Sequence, residues 1–200
     1  MKLHVVVSST RPGRVGPLIA DWFAGLVDPD PERGFDVEII DLAQVALPML
    51  DEPNHPAGQL YVHEHTRNWS ASVAAADAFV FVMAEYNTGF TAPLKNALDY
   101  LYSEWHHKPV GFVSYGMTSG GMRAVEMVKP VAVALKMVPV QDAVTIPLRS
   151  MVDVDGVLHP DDRMAEAAHD LLTELRVLAD ALAPVRASVA READLLAMAS

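Results

Sequence analysis

The residues best suited to chemistry lie near the start of the chain, where a serine and two arginines follow an apolar run. Ser9, Arg11 and Arg14 come directly after residues 3–7, which read Leu-His-Val-Val-Val. A guanidinium can bind a phosphate through two parallel hydrogen bonds, and free N–H groups at a helix start also attract anions. The segment predicts a phosphate site, with a solvated polar turn as the alternative. It lacks the Gly-Lys-Ser/Thr ending of a P-loop, so hydrolysis of nucleoside triphosphates is not expected.

A second polar segment follows another apolar run. Residues 85–91 read Glu-Tyr-Asn-Thr-Gly-Phe-Thr, directly after the run 78–83 and before a pattern typical of a helix. In open α/β sheets, ligands bind where strand ends meet such loops. The alternative is a plain turn, because Asn87 and Gly89 are turn formers for local reasons, with Glu85 in solvent.

A third segment has the same arrangement and is rich in glycine. Residues 114–121 read Ser-Tyr-Gly-Met-Thr-Ser-Gly-Gly and lie between an apolar run and a second helical pattern. Glycines let a backbone approach a flat ligand closely. A glycine-rich turn is weak evidence by itself, but three such segments after three apolar runs predict one shared site at one edge of a sheet.

Composition excludes several other kinds of chemistry. The chain has no cysteine, which excludes disulfides, thiolate catalysis and cysteine-ligated metals. Its net charge of −11 and the lack of a long basic block argue against nucleic acid as a partner. No Gly-x-Ser-x-Gly hydrolase motif is present. His63 and His65 do not have the i, i+4 spacing of a helical metal pair, so no metal site is expected.

The apolar segments also bear on location. The apolar start is too short for the core of a signal peptide. The longest apolar stretch, 73–84, contains Asp77 and is shorter than the roughly 20 residues of a membrane span. We therefore expect a cytoplasmic protein without a membrane partner.

The elements that must position these segments alternate along the chain. Strands are predicted near residues 3–7, 35–40, 78–83, 110–114 and 140–144, and helices near 15–26, 61–76, 93–105, 122–137 and 160–183. This alternation predicts a parallel sheet with helices on both faces. An irregular loop is expected over 43–60. The chain is expected to form one domain, residues 1–184, followed after Pro184 by a short helical tail, residues 185–200.

Taken together, the three segments resemble the NADPH-dependent FMN reductase family. The likeness lies in Ser9-x-Arg11, in the Glu-Tyr-Asn loop and in the Ser-x-Gly-x-x-x-Gly-Gly loop, and it extends over residues 3–150. It implies a flavodoxin-like three-layer sandwich with a five-stranded parallel sheet in the order 2-1-3-4-5. Four residues depart from the family pattern. Arg14 stands where serine or threonine is frequent, Ala84 and Thr91 stand where proline is usual or frequent, and Met117 stands where the residue is often small.

The resemblance also implies a set of residues that bind FMN. The phosphate contacts would come from Ser9, Arg11, Arg14, Val15 and Gly16; the ring contacts from Glu85, Tyr86 and Asn87; and the contacts with the pyrimidine end from Ser114, Tyr115, Gly116 and Gly120. No catalytic side chain is implied, because the cofactor supplies the difficult chemistry.

The function implied is that of an FMN-dependent NAD(P)H oxidoreductase. A reduced nicotinamide would pass hydride to FMN, and a quinone, flavin or azo-type acceptor would then receive two electrons. The alternative is a non-enzymatic flavodoxin-like electron carrier, although flavodoxins usually have a Thr/Ser-Gly-x-Thr phosphate loop; a flavin-free binding module is a third possibility. The family resemblance implies a homodimer or homotetramer. Leu94, Leu98, Leu101, Tyr102 and Trp105 could form a subunit face or belong to the core of one chain.

Overall fold

Five parallel strands form a single sheet in this protein, in the order β2-β1-β3-β4-β5. The computed structural model describes residues 1–28, 30 and 34–198. The strands are β1 (Lys2–Val7), β2 (Asp36–Asp41), β3 (Ala78–Ala84), β4 (Pro109–Gly116) and β5 (Val138–Pro147). The helices are α1 (Gly16–Ala24), α2 (Leu42–Val45), α3 (Glu64–Ala75), α4 (Ala92–Asp99), α5 (Met122–Ala134), α6 (Leu148–Met151) and α7 (Asp162–Met198). The predicted sheet order and flavodoxin-like architecture are confirmed.

The three central strands are apolar because helices cover both faces of the sheet. In β3 every residue is buried, and alternate side chains enter opposite cores. Val80 and Val82 pack with α1 and α7, whereas Phe79 and Phe81 pack with α3, α4 and α5. Parallel sheets are usually buried in this way, since their crossover helices lie on both sides.

The structure departs most from the sequence-based expectation in three helical segments. The helix predicted over 93–105 ends at Asp99 and is followed by a separate 3-10 turn at Ser103–Trp105. The irregular segment 43–60 contains most of α2 and a 3-10 turn at Pro56–Gly58. The last helix continues through Pro184 to Met198 rather than ending near residue 183.

Packing beyond Pro184 explains why the last helix can continue. A proline inside a helix removes one hydrogen bond and disfavours the helix. The Arg186 guanidinium, two residues later, donates to the backbone oxygen of His107 at 3.1 Å and to Asp77 Oδ1 at 2.9 Å. These contacts hold the final part of α7 against the amino end of the sheet. Residues 199 and 200 of the predicted tail lie outside the described residues.

Of the five residues considered for a subunit face after β3, four belong to the core of the chain, whereas Tyr102 is only half-buried. Leu94, Leu98, Leu101 and Trp105 are almost completely buried within the chain and pack with Phe79 and Phe81 of β3. They are therefore not available to a second subunit. Among the described residues, no helix is long and apolar enough to cross a membrane.

The contact between α7 and β4 is unusually close at Gly111. A Cβ atom at this position would lie 2.7 Å from Leu171 Cδ1 and 3.2 Å from Leu175 Cδ1. Both leucines are fully buried, so they have little room to move aside. Only glycine lets the helix lie this close to the strand.

We expect Gly111→Ala to lower the free energy of unfolding by about 1–3 kcal/mol, the usual cost of an extra methyl group in a filled core. Urea denaturation of the purified protein would measure this change. Gly58→Ala is the matched control, because the nearest atom to a Cβ there is Leu60 Cγ at 3.9 Å. Equal effects of the two substitutions would contradict the packing argument.

Candidate functional site

The three polar segments converge on one cavity at the carboxyl end of the sheet. The cavity has a volume of about 200 Å³ and is lined by Arg11, Arg14, Val15, Ala84, Glu85, Tyr86, Tyr115, Gly116, Met117 and Leu148. Pockets for drug-sized ligands usually hold roughly 300–1,000 Å³. The cavity can therefore enclose part of such a ligand and leave the rest at the surface.

In the first loop, Arg14 is held by an acidic partner from the edge strand. Its two terminal nitrogens lie 2.7 and 2.6 Å from the two carboxylate oxygens of Asp41, and Nη1 also donates to the Ser9 backbone oxygen at 2.7 Å. The hydrogen bonds from Arg14 hold the pKa of Asp41 below its usual value, with a smaller contribution from the Ala43 N–H group. Arg14 thus fixes the loop, and both terminal nitrogens of its guanidinium are already hydrogen-bonded within the protein.

The anion-binding groups of this loop are Arg11 and the beginning of α1. The Arg11 side chain is exposed, and within the described part of the chain its one hydrogen bond is a long one, 3.5 Å, to the Pro12 backbone oxygen. Helix α1 begins at Gly16, and no side chain caps its first N–H groups. A guanidinium and an uncapped helix start form a suitable site for a phosphate group.

A buried hydrogen bond joins the first loop to the third. The Tyr115 hydroxyl donates to Ser9 Oγ at 2.8 Å, and both residues are buried. Burial raises the pKa of Tyr115 to about 12, so this hydroxyl stays a neutral donor at physiological pH. A Cβ on Gly16 would lie 2.7 Å from Ser9 Oγ. Glycine is therefore required there if α1 is to begin beside this pair.

A buried carboxylate joins the second loop to the third. Glu85 accepts hydrogen bonds from Ser119 Oγ at 2.5 Å, from the Arg123 backbone N–H at 3.2 Å and from Arg123 Nη1 at 3.2 Å. Its side chain is only 9% exposed, so it is not the solvated residue of a plain turn. The carboxylate also lies at the beginning of α5, where a negative charge is favourable.

The rest of the second loop is a tight turn beside the cavity. The backbones of Tyr86 and Gly89 exchange two hydrogen bonds, of 2.9 and 3.0 Å. Asn87 and Thr88 between them have φ values of 50° and 68°, in the left-handed region. Asparagine tolerates this region, whereas a β-branched residue rarely adopts it. The turn presents the Tyr86 side chain, which is 41% exposed, to the cavity and places Asn87 outside the lining.

The third loop is shaped by its polar and glycine residues. Ser114 is fully buried and donates from Oγ to the Gly120 backbone oxygen at 3.0 Å, so Ser114 and Gly120 support the loop from behind. Gly116 lines the cavity, and a Cβ there would lie 3.1 Å from the Gly121 nitrogen. A Cβ there would also lie 3.3 Å from Glu85 Cβ, so the missing side chain lets the second loop and the rest of the third loop pack closely beside the cavity.

The structure brings together only part of the predicted set. The lining includes Arg11, Arg14, Val15, Glu85, Tyr86, Tyr115 and Gly116, whereas Ser9, Gly16, Asn87, Ser114 and Gly120 lie behind or beside it. Sequence reasoning missed Leu148, and treated Ala84 and Met117 only as departures from the family pattern. Leu148 directly follows β5, as the other loops follow their strands. It was missed because the fifth strand was predicted to end at residue 144 instead of Pro147.

The sheet order and the cavity at the ends of its strands define a flavodoxin-like α/β protein. The family model described as NADPH-dependent FMN reductase matches residues 1–149, and the chain belongs to this family. It is 43% identical over 163 residues to the NAD(P)H-dependent FMN reductase C4B3.06c of Schizosaccharomyces pombe, with 80% of this chain and 79% of the relative covered.

Two more distant comparisons agree with this assignment. The FMN-dependent NADPH-azoreductase of Staphylococcus haemolyticus is 29% identical over 168 residues, covering 81% of this chain and 86% of the relative. The solved structure of FerB, an NAD(P)H:(acceptor) oxidoreductase from Paracoccus denitrificans, has a TM-score of 0.66 at 19% identity. It covers 90% of this chain and 96% of that one, a likeness that shows the fold.

We expect Asp41→Asn to lower the free energy of unfolding at pH 7 by about 1.5–3 kcal/mol, typical of a hydrogen bond to a charged group. The folded-state pKa of Asp41 is depressed. Its contribution is therefore complete above the ordinary value of 3.8 and is lost as the pH falls below it. The difference between variant and wild type should accordingly shrink between pH 4 and pH 2, as measured by urea denaturation at each pH.

The control for this substitution is Asp36→Asn, at the exposed beginning of the same strand. It should change the free energy of unfolding little at either pH. A loss in Asp41→Asn that is the same at pH 7 and pH 2 would show that charge pairing with Arg14 is not the cause.

Proposed function

We propose that this protein is an FMN-dependent NAD(P)H oxidoreductase whose cofactor lies in the cavity formed by the three loops. The observation that carries the proposal is the convergence of an anion site and a flat, partly apolar site in one cavity. Arg11 and the beginning of α1 supply the first, and Tyr86, Gly116 and Met117 supply the second. Membership of the NADPH-dependent FMN reductase family supports the same reading.

The residues present fit FMN at both ends of the molecule. Arg11 would bind the phosphate, together with the uncapped N–H groups at the beginning of α1. Gly116 and the exposed Tyr86 side chain, which both line the cavity, would hold the ring system between the second and third loops. Ser9, Arg14, Ser114 and the other supporting residues would act by holding these loops in place.

When bound, FMN supplies the redox chemistry, taking a hydride from a reduced nicotinamide and returning two electrons to a quinone, flavin or azo-type acceptor. The protein binds and orients the reactants. Backbone N–H groups of the third loop would stabilise negative charge at the pyrimidine end of the ring. The shallow cavity supports this role, because one face of the ring must stay open to both reactants.

The test is turnover by the purified protein. Loaded with FMN, it should oxidise NADPH or NADH continuously when a quinone, a free flavin or an azo dye is present. A flavodoxin-like carrier would hold FMN but would not oxidise the nicotinamide unaided. A preparation that binds no FMN, or that binds it without turnover, would overturn the proposal.

We also propose where the remaining parts of the chain act. Residues 1–184 would form the flavin domain, and Arg186 in the segment 185–200 would lie away from the site, since it contacts the opposite end of the sheet. The net charge of −11 favours small-molecule partners over nucleic acid. A cytoplasmic location stays a prediction.

We expect Arg11→Ala to raise the dissociation constant for FMN about tenfold or more, since a charge-assisted hydrogen bond contributes about 1.5–3 kcal/mol. Titration of the FMN-free protein with FMN, followed by fluorescence, would measure it. Unfolding by urea should be unchanged because the side chain is exposed. Arg163→Ala, which removes an exposed arginine at the beginning of α7, should leave the constant unchanged. Equal constants for wild type and Arg11→Ala would contradict this assignment.

We propose that the protein assembles as a homodimer or homotetramer through the segment 48–60, which crosses α4 near Asn96. Asn96 holds this segment, donating to the Pro48 oxygen at 2.7 Å and accepting from the Leu50 N–H at 2.9 Å. Met49 and Leu60 are nonetheless largely exposed, and grouped exposed apolar side chains often mark an interface.

Light scattering after size exclusion should give a mass of two or four chains, and the double substitution Met49→Glu with Leu60→Glu should shift it towards one chain. Placing two carboxylates in an apolar contact would desolvate them without partners. The control is Val177→Glu, an exposed position on α7. A wild-type mass of one chain at all concentrations would contradict the proposal.

A further inference from the structure

Met117 is an exposed and flexible apolar side chain in the lining of the cavity. This residue lines the cavity from the third loop, directly after β4, and is 57% exposed. It belongs to neither of the two buried cores. The fold therefore does not need this side chain for its packing, and the thioether can move at the mouth of the site.

Apolar surface continues from Met117 around the mouth. Tyr86 and Leu148 line other parts of the same cavity. Outside it, the Met127 sulfur lies 3.5 Å from where a Cβ on Gly89 would be, so this methionine packs on the turn of the second loop while remaining 53% exposed. A ligand that projects out of the cavity would meet this apolar surface.

The backbone beneath Met117 is fixed, in contrast to its side chain. Ser114 holds the loop at Gly120, and Glu85 holds it at Ser119. Methionine has three rotatable bonds and adapts its shape to different neighbours. A flexible side chain on a fixed loop can change its position in the cavity lining, within the distance that the length of the side chain allows.

We propose that Met117 is a specificity-determining residue that limits the size of the acceptor entering the site. The inference rests on the proposed function and adds that the acceptors are flat and apolar, with small ring systems favoured over large ones. In each turnover one NADPH is oxidised to NADP⁺ and, with one proton from water, one quinone is reduced to its hydroquinone. Met117 takes no part in this transfer and acts through the space that it occupies.

The test compares two acceptors that differ in size, 1,4-benzoquinone with one ring and 9,10-phenanthrenequinone with three. For wild type, Met117→Ala and Met117→Leu, kcat/KM for each quinone is measured with FMN-loaded protein at saturating NADPH. We expect Met117→Ala to raise the ratio of the large to the small quinone roughly tenfold, the usual effect of a few methylene groups in an apolar site. Met117→Leu, which keeps most of the volume, should stay near the wild-type ratio.

Met122→Ala is the matched control. Met122 is the first residue of α5, is 56% exposed, and is not part of the cavity lining. The ratio should not change in this variant. All four proteins are assayed with FMN bound, so that a change in the ratio reports the size of the acceptor and not the amount of cofactor.

The outcomes separate this inference from the proposed function. An unchanged ratio in Met117→Ala, in a protein that binds FMN and oxidises NADPH, would overturn the role of Met117 alone. An equal rise in Met122→Ala would overturn it as well, because the effect would then not depend on the cavity. Failure of the wild type to bind FMN or to oxidise NADPH would instead overturn the proposed function.

Discussion

The structure depends on burial of the three central strands on both faces of the sheet. In β3 every residue is buried, and only the last one, Ala84, reaches the wall of the cavity. The reactive groups must therefore come from the segments where the parallel strands end. These segments are polar loops, which have no regular hydrogen-bond ladder to hold them. They must be held by each other if they are to form one site.

Three polar contacts provide that support. Arg14 pairs with Asp41 and holds the first loop to the edge strand, Tyr115 joins the first loop to the third, and Glu85 joins the second to the third. All three involve partly or fully buried groups, where charge-assisted or neutral hydrogen bonds are screened less by water. The residues that fix the site are thus mostly different from those that present free surface to a ligand. Several positions that resemble flavin contacts in sequence act here as supports.

The sequence predicted the fold well because its strongest patterns are long apolar runs, whose burial follows from composition alone. It also predicted which loops meet, since the ends of parallel strands lie on one edge. It could not predict the partners of Arg14 and Glu85, because these are 27 and 38 residues away along the chain. Nor could local propensity show that α7 continues through Pro184, since the stabilising contacts of Arg186 are with distant residues. Leu148 was missed for a related reason: the end of β5, from Thr145 to Pro147, pairs with Ser114 to Gly116 of β4, a contact that the local pattern does not show.

The first loop is held by the pairing of Arg14 with Asp41, the last residue of β2. Among the described residues, this edge strand has β1 as its one neighbour in the sheet. Edge strands fray more readily than central ones, because a single ladder of backbone hydrogen bonds holds them. Loosening of β2 would move Asp41 away and release Arg14, while the rest of the core remained folded. By thermodynamic linkage, an anion that binds only to the ordered loop would in turn stabilise β2 in its place at the edge of the sheet. Anion binding at the first loop and local order along β2 are therefore two measures of the same equilibrium.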